Sequence, residues 1–230
     1  SQILEPQIVG ILKYFDKWIF IGDENQLPAV VQQEENDLRC KSKILQGISL
    51  NSFGESLFYR LKLNAINKGW SECYGMLQNH YRMHDDIAKF ISKKFYGNLL
   101  VAATEKQKEA INKEIFIDHK LKCCFENSRI VFIPSIIDKT AKINDNEAYT
   151  VVKLIEYIGQ CYGEQFVPEE TVGVITPFRA QIVNIRNRLS KKYQAITIDT
   201  IERYQGSERD IIILSFAVNN ISQLKRLQMI

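Results

Sequence analysis

Hydrophobic residues recur along this chain in two rhythms. Ile87, Phe90, Ile91 and Phe95 fall at three- and four-residue spacing, which predicts a helix with one apolar face turned to a sheet. By contrast, Ile211–Phe216, IIILSF, is a nearly continuous apolar run, the pattern of a strand buried on both faces of a parallel sheet. Toward the start, Ile8, Leu12 and Phe15 predict a helix over Glu5–Tyr14, Trp18–Ile21 a strand, and Leu57, Leu61 and Ile66 a short helix. Between them, Gln32–Gly54 is polar with weak periodicity. From Trp70 onward the pattern predicts strand Tyr74–Leu77, the Ile87–Phe95 helix, a charged loop or exposed helix over Ala102–Lys113, and strand Arg129–Ile133. Helix Asn146–Tyr162, strand Thr171–Thr176, helix Phe178–Leu189, strand Ala195–Asp199 and strand Ile211–Phe216 follow. Such alternation implies an α/β fold with a parallel sheet covered by helices on both faces.

Polar phrases interrupt these elements where open α/β sheets bind ligands. Gly22-Asp23 and Gln26-Leu27-Pro28 follow the first strand, Tyr81-Arg82-Met83-His84 precedes the Ile87–Phe95 helix, and Asp199-Thr200 leads to YQGSERD, Tyr204–Asp210. In this order, GD-x-x-QLP, YRMH and D-T-x-x-x-(Y/F)-Q-G-x-E-x-D resemble helicase motifs III, IV and V. The chain is identified as a member of superfamily I helicases, in the branch that includes the nonsense-mediated-decay helicase and the flap-processing helicase-nuclease. The resemblance implies a RecA-like P-loop NTPase fold. It assigns residues 1–68, with motif III, to the C-terminal remnant of a first RecA-like domain. Residues 69–230, with motifs IV and V, become a second RecA-like domain that stops before motif VI.

Residue chemistry agrees with the roles this resemblance implies. The amide of Gln26 can reach a phosphate oxygen or the attacking water, and the resemblance makes it the γ-phosphate sensor, with Asp23 in support. A guanidinium forks two N–H groups toward phosphate oxygens. Arg82 is by resemblance an arginine finger, reaching across the cleft to ATP bound mainly by the other half. Tyr81 neighbours the base or sugar, and Asp85 is expected to cap the following helix. Gly206 permits close backbone approach, Glu208 accepts from a ribose or holds the arginine finger, and Gln205 links the nucleotide to the nucleic-acid side. Thr200 occupies the position that touches the nucleic-acid backbone in relatives. In the phrase TPFRAQ, Thr176, Pro177 and Arg179 lie at a helix start, which suits a phosphodiester backbone. Arg209 with Asp210 reads as a local solvated pair, and Arg186, Arg188, Lys191 and Lys192 as a solvated helix face. His80 and His84 are four apart, but a strand-to-helix break and the lack of a third ligand argue against a metal site.

Other features bound the function. The sequence contains no G-x-x-x-x-G-K-[ST] loop, so the phosphate cradle, its Lys and its Mg²⁺-binding hydroxyl are missing. The opening SQILEP resembles the segment after the family's Walker B acidic pair. The chain is therefore expected to be part of a motor that uses ATP and Mg²⁺ elsewhere in the same polypeptide, and to be inactive alone. Its expected partners are single-stranded nucleic acid, DNA somewhat before RNA, and the rest of the first RecA-like domain. The alternative is a helicase-like binding module without hydrolysis. At 230 residues, 45% hydrophobic, the chain can bury a substantial core, and no apolar run reaches the roughly 18 residues of a membrane span. Five cysteines with no C-x-x-C pair favour reduced intracellular thiols. This predicts cytoplasmic residence in a bacterium, nuclear or cytoplasmic in a eukaryote. A formal charge of +3 is only mildly basic, so nucleic-acid binding rests on local patches.

Overall fold

A computed structural model describes residues 3–29, 31–138 and 142–228. The chain forms two compact units, Ser1–His80 with Ile91–Val101, and Tyr81–Phe90 with Ala102–Ile230. No described helix is long and apolar enough to cross a membrane.

In the second unit three parallel strands, β1 (Val172–Ile175), β2 (Thr197–Asp199) and β3 (Ile211–Leu214), lie in the order β2-β1-β3. The register sets Val174 beside Ile198 and Ile213. The Asp145–Tyr162 helix begins at Asn144, whose side chain accepts the Glu147 N–H, and ends at Gly163 with φ +54°. Ala148, Val151, Val152, Ile155 and Ile158 form its buried stripe. With Ile185 and Leu189 from the next helical segment, they pack on Val172, Val174, Ile196 and Ile198. All eleven are at most 6% exposed, and each large aliphatic buried this way contributes about 1.5–3 kcal/mol. On the opposite face Tyr204 covers Gly173: a Cβ added there would meet its Oη at 1.8 Å. Only glycine allows that ring to lie on the central strand.

Several expected strands differ. β3 is an edge strand with one bare face, Ile212 and Leu214 being 41% and 55% exposed, because Tyr204 covers β1 and not β3. Trp18–Ile21, Tyr74–Leu77 and Arg129–Ile133 are not strands. A strand exists only where a neighbour answers its N–H and C=O groups, and among the described residues none pairs with these segments. Trp18–Ile21 keeps its alternation: Trp18 and Phe20 stack at 5.9 Å, while Ile19 and Ile21 face outward.

In the first unit, helices Glu5–Leu12 and Leu57–Asn67 are tied together. Leu4 and Ser56 form an antiparallel bridge, and the Ser56 hydroxyl caps the second helix through the Tyr59 N–H. Arg60 forks onto the Glu5 carboxylate beneath.

Candidate nucleotide and nucleic-acid sites

Within the first unit the loop after Gly22 folds around one carboxylate. Asp23 Oδ1 accepts the Asn25 backbone N–H at 3.0 Å, and Oδ2 accepts Gln26 Nε2 at 2.9 Å and the Tyr96 hydroxyl at 2.6 Å. Lys62 pairs with the neighbouring Glu24. Gln26 itself is exposed, on a loop whose shape Asp23 sets.

Within the second unit, Arg82 and Glu208, 126 positions apart, meet: Arg82 Nε donates to Glu208 Oε2 at 3.1 Å. Both side chains are open to solvent, 57% and 72% exposed, so the pair contributes only about 0–1 kcal/mol. Gly206 stands at φ +86°, a conformation that favours glycine; Gln205 and Tyr81 are exposed beside these groups in sequence. Asp85 does not cap the next helix. It is the first residue of Asp85–Phe95, and the cap is His84, whose Nδ1 accepts the Asp86 N–H at 3.1 Å. Its Nε2 lies 2.9 Å from the Glu109 carbonyl. An accepting Nδ1 and a carbonyl at Nε2 require the proton on Nε2, so both nitrogens of the ring are engaged. Lys89, hydrogen-bonded to Asp85, holds that carboxyl below the usual range.

The nucleic-acid candidates gather elsewhere, at the carboxyl end of the parallel sheet. The Thr176 N–H donates to Asp199 O at 3.1 Å, and the Ser215 N–H to Ile175 O at 2.9 Å, which aligns the ends of the three strands. Pro177 is partly exposed, Arg179 is exposed at the first position of the Arg179–Arg188 helix, and Thr200 precedes the Ile201–Tyr204 helix with its N–H on Asp199 Oδ1. Thr176 departs from expectation. It is fully buried and its hydroxyl has no partner, because the sheet edge closes over it, so Pro177 and Arg179 are the groups this phrase presents. Glu208, three residues before β3, belongs to the other end of that strand.

Some sequence-stretch neighbours play structural parts. Gln181 is fully buried. Its Oε1 accepts the Asn144 N–H at 2.9 Å, and its Nε2 reaches Asn144 O and the Ser215 hydroxyl. Glu147 closes the network on the Ser215 hydroxyl and the Ala217 N–H, holding Ala217 at φ +47°. A polar residue on the buried stripe of a helix was the available signal. Arg209 and Asp210 do not pair with each other. Arg209 lies 5.7 Å from the Tyr204 ring centroid with Nη2 on Thr197 Oγ1. Asp210 faces Tyr162, whose hydroxyl is pushed up to about 12 by burial and by this carboxylate. Arg188 is held by Asp145 and Asn184, and Arg186 by the Gln194 carbonyl. Among the described residues no group of three or more His, Cys, Asp or Glu could hold a metal ion.

A parallel α/β sheet with its polar loops at the strand ends and a motif IV arginine on a motif V glutamate is the RecA-like fold of a superfamily I helicase. Residues 53–227 match the AAA domain family, and the chain belongs to it. It is similar to the DNA replication ATP-dependent helicase/nuclease dna2 of Schizosaccharomyces pombe, 28% identical over 242 residues that cover 97% of this chain and 16% of that protein. The Homo sapiens DNA replication ATP-dependent helicase/nuclease DNA2 is 27% identical, over 96% of this chain and 21% of its own length. Helicase sen1 of Schizosaccharomyces pombe is 31% identical, over 94% of this chain and 12% of its own. The chain thus spans about a fifth or less of the length of these curated relatives.

Proposed function

We propose that this chain is part of the motor core of an ATP-dependent helicase or translocase that works inside the cell on single-stranded nucleic acid, DNA in preference to RNA. The observation that carries the reading is the Arg82–Glu208 pair: a guanidinium held ready by a carboxylate to which it is only weakly bound. Phosphoryl transfer needs positioning and charge stabilisation more than covalent help from the protein. A nucleotide phosphate, more highly charged than a carboxylate, replaces Glu208 on Arg82 at little cost, and the released Glu208 accepts from the ribose. Gln26, oriented by Asp23, contacts the γ-phosphate or the attacking water. Mg²⁺ would neutralise charge on the phosphate oxygens; the loop hydroxyl and acidic ligand that hold it are not in this sequence, so this chain by itself does not hydrolyse ATP. Residues 1–68 then belong to the first RecA-like domain and residues 69–230 to the second. The preference for DNA rests on the two DNA replication relatives.

The test is strand separation by the intact protein on tailed DNA and RNA duplexes. ATP-dependent unwinding, faster on DNA, is expected; absence of both unwinding and strand-stimulated ATP hydrolysis on either substrate refutes the reading.

Strand binding is assigned to Pro177, Arg179, Thr200 and Gln205; Thr176, buried with its N–H on Asp199 O, takes no part. Phosphate contacts release counterions, so affinity should fall as salt rises. Arg179→Ala should weaken binding about equally for all sequences and reduce the salt slope by about one phosphate contact. Fluorescence anisotropy over a salt series measures both, and a sharp sequence preference lost with Arg179 would contradict the assignment.

A further inference from the structure

Tyr96 is the residue after the Asp85–Phe95 helix, and the chain around it is built to hold it still. Gly97 and Asn98 both take positive φ, 59° and 65°, turning the chain sharply at the helix end. The Tyr96 and Asn98 N–H groups both donate to Ser92 O at 3.0 Å, and the Leu99 N–H to Tyr96 O at 2.9 Å. The buried Ser92 hydroxyl accepts the Leu100 N–H, and the Val101 N–H reaches Gln78 O at 2.9 Å. From this anchored turn the Tyr96 hydroxyl donates to Asp23 Oδ2 at 2.6 Å. A second link runs beside it, Asn25 Nδ2 to Phe95 O at 3.1 Å. Burial first, and then the Asp23 carboxylate, push the Tyr96 hydroxyl above its ordinary range, so it remains a donor at every working pH.

The consequence falls on Gln26. Asp23 Oδ2 accepts from Tyr96 and from Gln26 Nε2 together. An ionised carboxylate only accepts, so it can face only the NH₂ side of the Gln26 amide, which turns the amide carbonyl away from Asp23. A carbonyl so fixed can accept a proton of a water molecule, whereas the flipped amide would offer that water two donors and no acceptor.

We infer that Tyr96 is a positioning residue for Gln26, acting through Asp23 to fix which end of the amide meets the phosphate and its attacking water. This rests on the reading of Gln26 given above. It adds a residue 70 positions further along the chain that touches neither nucleotide nor strand.

The test is a double-mutant cycle on ATP hydrolysis by the intact protein at saturating single strand. Tyr96→Phe keeps the ring and removes the donor. It should lower kcat about tenfold, the scale of one charge-assisted hydrogen bond, and leave KM for ATP and the thermal midpoint unchanged. In a Gln26→Ala background Tyr96→Phe should cost nothing further, an interdependence that a merely structural residue would not show. Gln26→Ala with normal kcat would remove the reading of Gln26 and this inference with it. A defective Gln26→Ala beside a fully active Tyr96→Phe, or losses that multiply, would overturn the role of Tyr96 alone. Should Tyr96→Phe lower the thermal midpoint, Asp23→Ala carries the same cycle, since it removes the carboxylate both donors share; losses that multiply there overturn the inference equally.

Discussion

Arg82→Ala in the intact protein is expected to lower kcat for ATP by roughly 10³–10⁵, the range of arginine fingers, and to leave single-strand affinity within about twofold. The geometry of the second unit separates the two effects. Arg82 meets Glu208 on the approach to the amino end of β3, whereas Pro177, Arg179 and Thr200 stand at the carboxyl end of the sheet. Stability should hardly change, because the ion pair lost is open to solvent on both sides. Arg82→Lys should rescue poorly, since it keeps the charge and loses the fork that grips two oxygens. Glu208→Ala should weaken nucleotide binding far more than it slows the step itself, as the role proposed for the carboxylate is toward the ribose and not toward the charge that develops. The measurements are kcat and KM for ATP at saturating strand, with the strand's Kd taken alongside. An Arg82→Ala protein that hydrolyses ATP normally but releases the strand would reverse the assignment of the two ends.

Legibility followed how local each cause was. The Asp145–Tyr162 helix and the three paired strands came out of the sequence to within a residue or two, because a stripe such as Ala148, Val151, Val152, Ile155 and Ile158 buries itself on any sheet it meets. The faces of β3 did not. Four apolar residues in a row, Ile211–Leu214, carry no mark of which neighbour covers which side, and Ile212 and Leu214 stay exposed. Trp18–Ile21 has strand propensity and alternation, but pairing belongs to the partner and not to the segment. Among site residues, motif spacing singled out Arg82 and Glu208, yet nothing local says that residues 126 apart share a hydrogen bond. The same distance in sequence hid the Tyr96–Asp23 contact, and His84 took the cap from Asp85 because its ring nitrogen reaches the Asp86 N–H first. Thr176 reads as a surface polar group beside a helix start. It is buried where the strand ends converge, and only the three-dimensional closure of that edge shows it.

Arg60→Ala is expected to cost the first unit about 3–5 kcal/mol, the effect of leaving one member of a buried ion pair without its partner. Arg60 and Glu5 are 7% and 5% exposed. The guanidinium forks onto the carboxylate, Nε to Oε2 at 2.7 Å and Nη2 to Oε1 at 2.5 Å, while Nη1 donates to Ile48 O at 2.7 Å. This single side chain therefore joins helices Glu5–Leu12 and Leu57–Asn67 to the Ile48 turn, and its loss strands the buried Glu5 carboxylate, whereas Ile48 O keeps Asn64 Nδ2 at 3.3 Å. Glu5→Ala should cost as much, since a guanidinium without its carboxylate is buried at the same expense. The double variant Glu5→Leu/Arg60→Met should be less damaged than either single one, because an apolar pair of similar volume has no charge to desolvate. Urea unfolding followed by tryptophan fluorescence measures this directly: both tryptophans of the chain, Trp18 and Trp70, lie in the first unit. Single losses below about 1 kcal/mol would mean that water reaches the pair in solution and that it behaves like a surface ion pair. A double variant as unstable as the sum of the singles would mean that the guanidinium's bond to Ile48, and not its charge, holds the two helices together.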